Sequence, residues 1–305
     1  MSTRVAAVDC GTNSIRLLVA EAAPQPGGFR EVHRDLRLTR LGQGVDATGE
    51  FHPDALARTM AACDEYAAML GEFGVGRVRF VATSAARDAR NRDEFYAGVR
   101  ARLGVDAEII SGDEEARLSF DGALSAIPDA QTPALVMDIG GGSTELVSGR
   151  PGAPLRGISL DMGSVRLRER FLFGDPPRPD EIAEASEFID DLLDASGIDF
   201  DRQRTWIGVG GTATSLSAIV QRLDVYDRAR VHGSLLARSD LAELSARLLV
   251  EPVAQVLQIP TMVPGRADVI CAGALICHRV GVRMPVDLRV SEADILDGLV
   301  AALLA

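Results

Sequence analysis

The sequence predicts an α/β protein of two similar lobes, and three observations carry that expectation. One pattern, D-x-G-x-x-S-x-x-L, occurs twice, from Asp9 to Leu17 and from Asp138 to Leu146. Each copy follows a short apolar run, Val5–Val8 or Ala134–Met137, and continues into further β-forming residues. Around both copies β-type runs alternate with helical stretches, as in an α/β chain that repeats one plan. Locally each copy reads as strand, tight glycine turn, strand, with a carboxylate closing the first strand. A dinucleotide-binding loop would instead run from its strand directly into a helix.

In chain order, Arg4–Asp9 and Ile15–Glu21 form the first hairpin and Arg30–Leu41 continues as extended chain. Pro53–Phe73 is a helix, with proline at its start, apolar Leu56, Met60, Met69 and Leu70, and Gly74 behind it. Val78–Thr83 is a buried strand leading into Thr83-Ser-Ala-Ala-Arg87. The helix Arg92–Leu103 and the strand Glu108–Ile110 follow. Ser111-Gly-Asp-Glu114 has the form of a capping box opening a helix to about Ile127. Pro128–Pro133 is the linker candidate. Beyond it come the Asp138 hairpin, a strand near Gly157–Leu160, and helices at about Val165–Phe173 and Pro179–Ala195. Strand Thr205–Val209 leads to a helix starting near Thr212. Helices at about Leu241–Leu249 and Arg266–Val280 and strand Val286–Val290 follow, and Ser291-Glu-Ala-Asp294 caps a last helix to Ala305.

Composition narrows the chemistry. The 305 residues are 47% hydrophobic and 25% charged, enough for one large or two medium domains. All 32 basic residues are arginine, so there is no Walker A lysine, Schiff-base lysine or kinase strand lysine. A net charge of −12 argues against general nucleic-acid binding. It also requires any phosphate site to be locally positive, through arginines, a cation and backbone amides. No apolar run reaches the roughly 18–20 residues of a membrane span, and there is no signal-peptide pattern, so a cytoplasmic protein is expected. Cys10, Cys63, Cys271 and Cys277 have no zinc or disulfide spacing.

The two loops are the candidate site. Gly11, Thr12, Asn13 and Ser14, and Gly140, Gly141, Gly142 and Ser143, would offer amide and hydroxyl donors to phosphate oxygens. Asp138 and Glu145 flank the second turn, where hard oxygens beside a phosphate loop suit Mg²⁺ or another divalent cation, and Asp9 is the symmetric partner. The plainer alternative is a pair of hairpin turns, with glycine for backbone geometry and Asp as a turn former. Glu114 is read as the reciprocal half of the capping box and Asp113 as solvated. Arg166, Arg168 and Arg170, with Arg156, would line an anionic channel or be solvated arginines. His232, in Val231-His-Gly233, has no role legible from its neighbours, and no Ser-His-Asp or Cys-His arrangement is present.

Eight segments in order resemble the exopolyphosphatase/guanosine pentaphosphate phosphohydrolase (Ppx/GppA) family. They are the two loops, Thr83–Arg87, Ile110–Arg117, Asp161–Phe171, Gly208–Thr212, Val231–Gly233 and Pro264–Asp268. The resemblance implies a two-lobed actin-like (sugar kinase/heat-shock chaperone/actin) ATPase fold with an interlobe active-site cleft. Its lobes would be residues 1–127, rejoined by 291–305, and 128–290. It further implies Mg²⁺-dependent hydrolysis of a terminal phosphoanhydride of polyphosphate or guanosine pentaphosphate. Glu115 is then the base that activates water, and Arg87 and Ser84 contact phosphate. Gly210, Gly211, Thr212, Arg166, His232 and Arg266 become candidates for a channel or nucleoside segment. Rival readings are an actin-fold sugar or acetate-type kinase and a non-catalytic sensor or assembly protein. The chain stops before the C-terminal HD-type region of longer relatives, which argues against processive digestion of long polymers unless a homodimer supplies the missing surface.

Overall fold

A computed structural model describes residues 4–23, 28–127 and 129–304, apart from the side chains of Asp46, Ala47, Ser84, Asp88 and Asp113. Pro128, the first residue of the expected linker, therefore lies outside the described residues, as do the side chains of Ser84 and Asp113. The chain divides into two compact units, Met1–Gly122 with Ile295–Ala305, and Ala123–Asp294.

In the first unit, β1 (Arg4–Cys10), β2 (Ser14–Ala22), β3 (Phe29–Leu38), β4 (Arg77–Ala82) and β5 (Ala107–Ile109) form one sheet in the order β3-β2-β1-β4-β5. β1 pairs antiparallel with β2, and β2 with β3, while β4 and β5 add parallel to β1. Both faces of β1 are covered, which is why the strand is apolar throughout. Ala6, Val8 and Cys10 pack with the helix Pro53–Glu72, and Val5 and Ala7 with the C-terminal helix Ile295–Leu304. That last helix is tied down by Arg34 of β3, which donates to both carboxylate oxygens of Asp297 at 2.9 and 2.8 Å.

The second unit repeats the plan. Its strands are β6 (Ala134–Ile139), β7 (Thr144–Gly149), β8 (Arg156–Leu160), β9 (Thr205–Val209), β10 (Leu235–Leu236) and β11 (Leu288–Val290). Their order is β10-β11-β9-β6-β7-β8. β7 and β8 add antiparallel beside β6, β9 and β11 parallel on its other side, and β10 extends the far edge. This doubled order is the two-lobed actin-like architecture. Leu135, Met137 and Leu146 pack with Trp206, with Ile189 and Leu193 of the helix Pro179–Ala195, and with Leu275 and Ile276 of the helix Ile270–Arg283. Among the described residues, no helix is long and apolar enough to cross a membrane.

Most elements fall where the sequence placed them, and the departures have local causes. The extended chain expected to Leu41 leaves the sheet after Leu38, because the amides of Thr39 and Arg40 turn to the Asn13 carbonyl. Between Thr83 and Arg87 the chain makes a short helix, Ser84–Asp88, and the helix after Ser111 ends at Ser125. The Ser111 box is half built: Ser111 Oγ accepts from Glu114 N at 3.2 Å, but the Glu114 carboxylate accepts from Arg79 of β4 at 2.9 Å. Ser291 does not cap the last helix; its hydroxyl is occupied two residues on by Ala293, and the helix begins at Ile295. Arg266 belongs to a 3₁₀ turn, Pro264–Arg266, separate from the helix that begins at Ile270.

Candidate active site

The two loops close in the same way. Gly11 N donates to Ser14 O, and Gly140 N to Ser143 O, each at 2.9 Å, so each hairpin turns on two residues, Thr12-Asn13 and Gly141-Gly142. In both the chain continues as antiparallel strand, unlike a dinucleotide-binding loop. None of Gly11, Gly140, Gly141 and Gly142 has a positive φ, so a left-handed turn is not what selects glycine here. Around the second loop the reason is proximity. The Gly140 and Gly141 carbonyls accept the amides of Ser164, Val165 and Arg166 at 2.8–3.0 Å, capping the helix Ser164–Arg170. A Cβ on Gly163 would lie 2.2 Å from the Gly141 oxygen.

Register explains why the carboxylates differ. Residues opposite each other in an antiparallel pair share a face. Asp9 faces Arg16 and Asp138 faces Glu145, so equivalent positions carry opposite charges. In the first unit the buried Asp9 is paired by Arg16, Nη2 to Oδ2 at 2.5 Å. In the second unit two carboxylates stand side by side. Glu145 Oε1 accepts hydroxyls from Ser143 at 2.5 Å and from Ser159 at 2.8 Å. Ser159, opposite Glu145 on β8, is a contributor that sequence reasoning missed, because strand register brings it there.

Arg87 and Glu115 are brought together in the first unit. Arg87 Nη1 donates to Glu115 Oε2 at 3.0 Å and to the Ile110 carbonyl at 2.9 Å, so the guanidinium spans the end of β5 and the start of the next helix. Both side chains remain partly accessible, at 30% and 21%. The Arg87 donors on Nε and Nη2 are not part of these two bonds.

In the second unit the segment Gly210–Thr212 joins the second loop. Gly210 has φ 76°, and a Cβ there would sit 2.4 Å from Asp138 Oδ1. Thr212 Oγ1 donates to the Ile139 carbonyl at 2.8 Å. Arg266 Nη1 donates to Gly211 O at 2.9 Å and to Ser215 Oγ at 2.6 Å. Burial lowers the Arg266 pKa, partly offset by Tyr226. Arg166 lies against the loop, its Nη2 3.8 Å from where a Gly142 Cβ would stand, and pairs with Asp161 at 3.6 Å.

Arg156, Arg168 and Arg170, read as channel or solvated arginines, have partners within the second unit. Arg168 donates to the Leu172 and Gly174 carbonyls. Arg170 stacks over Phe171 and Phe188 at 5.1 and 4.7 Å, and Arg156 donates to Ser196 O at 3.0 Å. The His232 imidazole is a strut: its Nδ1 accepts from Glu292 N at 3.1 Å. Among the described residues no three or more His, Cys, Asp or Glu side chains group as a metal-ion set. The adjacent carboxylates of Asp138 and Glu145 still suit Mg²⁺, which keeps several waters and takes one or two carboxylates alongside phosphate oxygens.

Comparison with known proteins places these features. The signature of the Ppx/GppA phosphatase family matches residues 18–291. Exopolyphosphatase 2 of Mycobacterium tuberculosis is 45% identical, over 99% of this chain and 98% of that protein. The crystal structure of an Aquifex aeolicus Ppx/GppA family member is 31% identical, with a TM-score of 0.86 over 100% of this chain and 98% of that one. That of an exopolyphosphatase from Cytophaga hutchinsonii is 26% identical, with a TM-score of 0.90 over 99% and 98%.

Proposed function

The chain belongs to the Ppx/GppA phosphatase family, and from that premise we propose that it is an exopolyphosphatase. It would hydrolyse the terminal phosphoanhydride of inorganic polyphosphate and release orthophosphate. The observation that carries this reading is the Arg87–Glu115 pair, a carboxylate fixed by a guanidinium that keeps donors for phosphate. Phosphoryl transfer to water asks for positioning and charge neutralisation more than for covalent chemistry. Glu115 orients the attacking water and takes its proton while the oxygen bonds to the terminal phosphorus and the anhydride bond breaks. Arg87, with the amides and hydroxyls of Thr12–Ser14 in the same unit, neutralises charge on the non-bridging oxygens, and the second loop carries groups of the same kind.

A divalent cation, Mg²⁺ or another, would be held by Asp138 and Glu145 and would supply charge neutralisation to the phosphate oxygens. Asp9, the symmetric candidate of the first loop, is paired with Arg16 through Oδ2. The tie of Glu145 to two hydroxyls holds that carboxylate beside Asp138.

Guanosine pentaphosphate is the second candidate substrate, supported by the part-buried Arg266 on Gly211 and Ser215, next to the half-exposed Tyr226. Phosphate release should be followed on polyphosphates of graded length and on guanosine pentaphosphate, with no acceptor present. Release from polyphosphate, abolished in Glu115→Gln with binding retained, is the expected result. Dependence on an acceptor would point to a kinase, and unchanged kcat in Glu115→Gln would remove the assigned base.

A further inference from the structure

Two non-glycine residues have a left-handed backbone among the described residues, Arg40 at φ 50° and Arg222 at φ 52°. Arg222 closes the helix Gly210–Val220, where such a residue is the ordinary C-terminal device. Arg40 closes no helix. It sits in the turn after β3, in a conformation that costs an arginine free energy that glycine would be spared.

That turn is clamped to the first phosphate loop. Thr39 N and Arg40 N donate to the Asn13 carbonyl at 3.1 and 2.9 Å, and Gly42 N to the Thr12 carbonyl at 2.8 Å. Gly42 has no room for a side chain, because its Cβ would lie 2.2 Å from Thr12 Cγ2. Arg58 braces the other side, donating to Thr39 O at 2.9 Å and Gln43 Oε1 at 2.8 Å. The neighbouring arginines are committed: Arg16 to Asp9, Arg34 to Glu31 and Asp297, Arg37 to Asp35 and Glu65. The exposed Arg40 guanidinium has no hydrogen bond or ion pair among the described residues.

We propose that Arg40 is a substrate-contacting residue of the first loop, its guanidinium taking a phosphoryl group of a bound oligophosphate. A planar fork without a protein partner, on a strained turn fastened to phosphate-binding residues, fits that ligand class in an otherwise acidic chain. The role rests on the hydrolase reading. A turn kept only for its shape tolerates glycine and leaves KM unmoved, and that difference makes the test.

Arg40→Gly and Arg40→Lys are compared with the wild type for kcat and KM on tripolyphosphate and for thermal unfolding. Arg40→Gly is expected to melt at or above the wild-type temperature while KM rises about 10- to 100-fold, the loss of a charge-assisted contact. Arg40→Lys, with charge but no fork, should fall between. A KM within twofold of wild type in Arg40→Gly overturns the proposal, whatever the melting temperature. No release from tripolyphosphate by the wild type would remove the hydrolase reading and the Arg40 role together; release with an unmoved KM removes only the latter.

Discussion

Gly163→Ala tests how rigidly the second loop must be held. Gly163 has φ −97° and ψ 165°, an extended conformation open to alanine, so any effect is steric. The added Cβ would stand 2.2 Å from Gly141 O, 2.3 Å from Gly141 C and 2.5 Å from Gly142 C, where ordinary contact begins at 3.4 Å. The shortfall of about 1.2 Å falls on backbone, which cannot swing away as a flexible side chain would. The loop must therefore shift by about 1 Å, and a displacement of that size in a positioned catalytic group costs on the order of 100-fold in rate. The same overpacking should lower stability by about 1–3 kcal/mol. For a unit of this size that is roughly 2–4 °C of melting temperature per kcal/mol. Phosphate-release kinetics and thermal unfolding measure the two losses separately. Gly152→Ala is the control: at φ 73° with open space around it, it should cost stability and leave kcat/KM alone. A Gly163→Ala enzyme within twofold of wild-type kcat/KM would refute the reasoning that the loop is held by this contact.

Further outcomes follow from other contacts. Ser159→Ala removes one of two hydroxyls on Glu145 and should raise the divalent concentration needed for half-maximal activity about 10-fold. Threonine at that position should rescue, and an unchanged metal titration would count against the arrangement. Asp138→Ala should depress activity and weaken the metal response together; a variant with the wild-type Mg²⁺ response would remove Asp138 from the metal set. Asp190 bonds Arg279 and Arg283, each at 2.9 Å; burial raises its pKa, but the two guanidiniums outweigh it and hold the carboxyl below its usual value. Its stabilising contribution is then present above pH about 4 and lost as pH falls through the depressed value. The stability gap between wild type and Asp190→Asn in urea should therefore shrink between pH 5 and pH 3.

The loops were legible in the sequence because their determinants are local. A β-type run, an Asp, a glycine and a two-residue turn suffice to specify a hairpin, and the identical spacing of Asp9 and Asp138 marked the repeat. The pairing of Arg87 with Glu115 was not legible as a contact. It depends on β4 and β5 lying parallel, which sets the helix after Ser111 beside the Arg87 turn. The partners of Arg168 and Arg170 were not legible for a related reason: a carbonyl cluster and two phenyl rings, unmarked in the local sequence, meet those guanidiniums.

By itself the sequence determined an α/β chain with two matched strand–turn–strand hairpins and a chemistry without lysine. Backbone geometry and residue type act over a few positions, so no long-range knowledge was needed. Only tertiary structure decided which charges meet. Register placed Arg16 against Asp9 but Glu145 against Asp138, and brought Ser159 to Glu145. The turn after β3 placed Arg40 on the first loop. Side-chain partners are chosen by strand order and close packing, which join residues far apart in the chain and leave no periodic trace in the sequence.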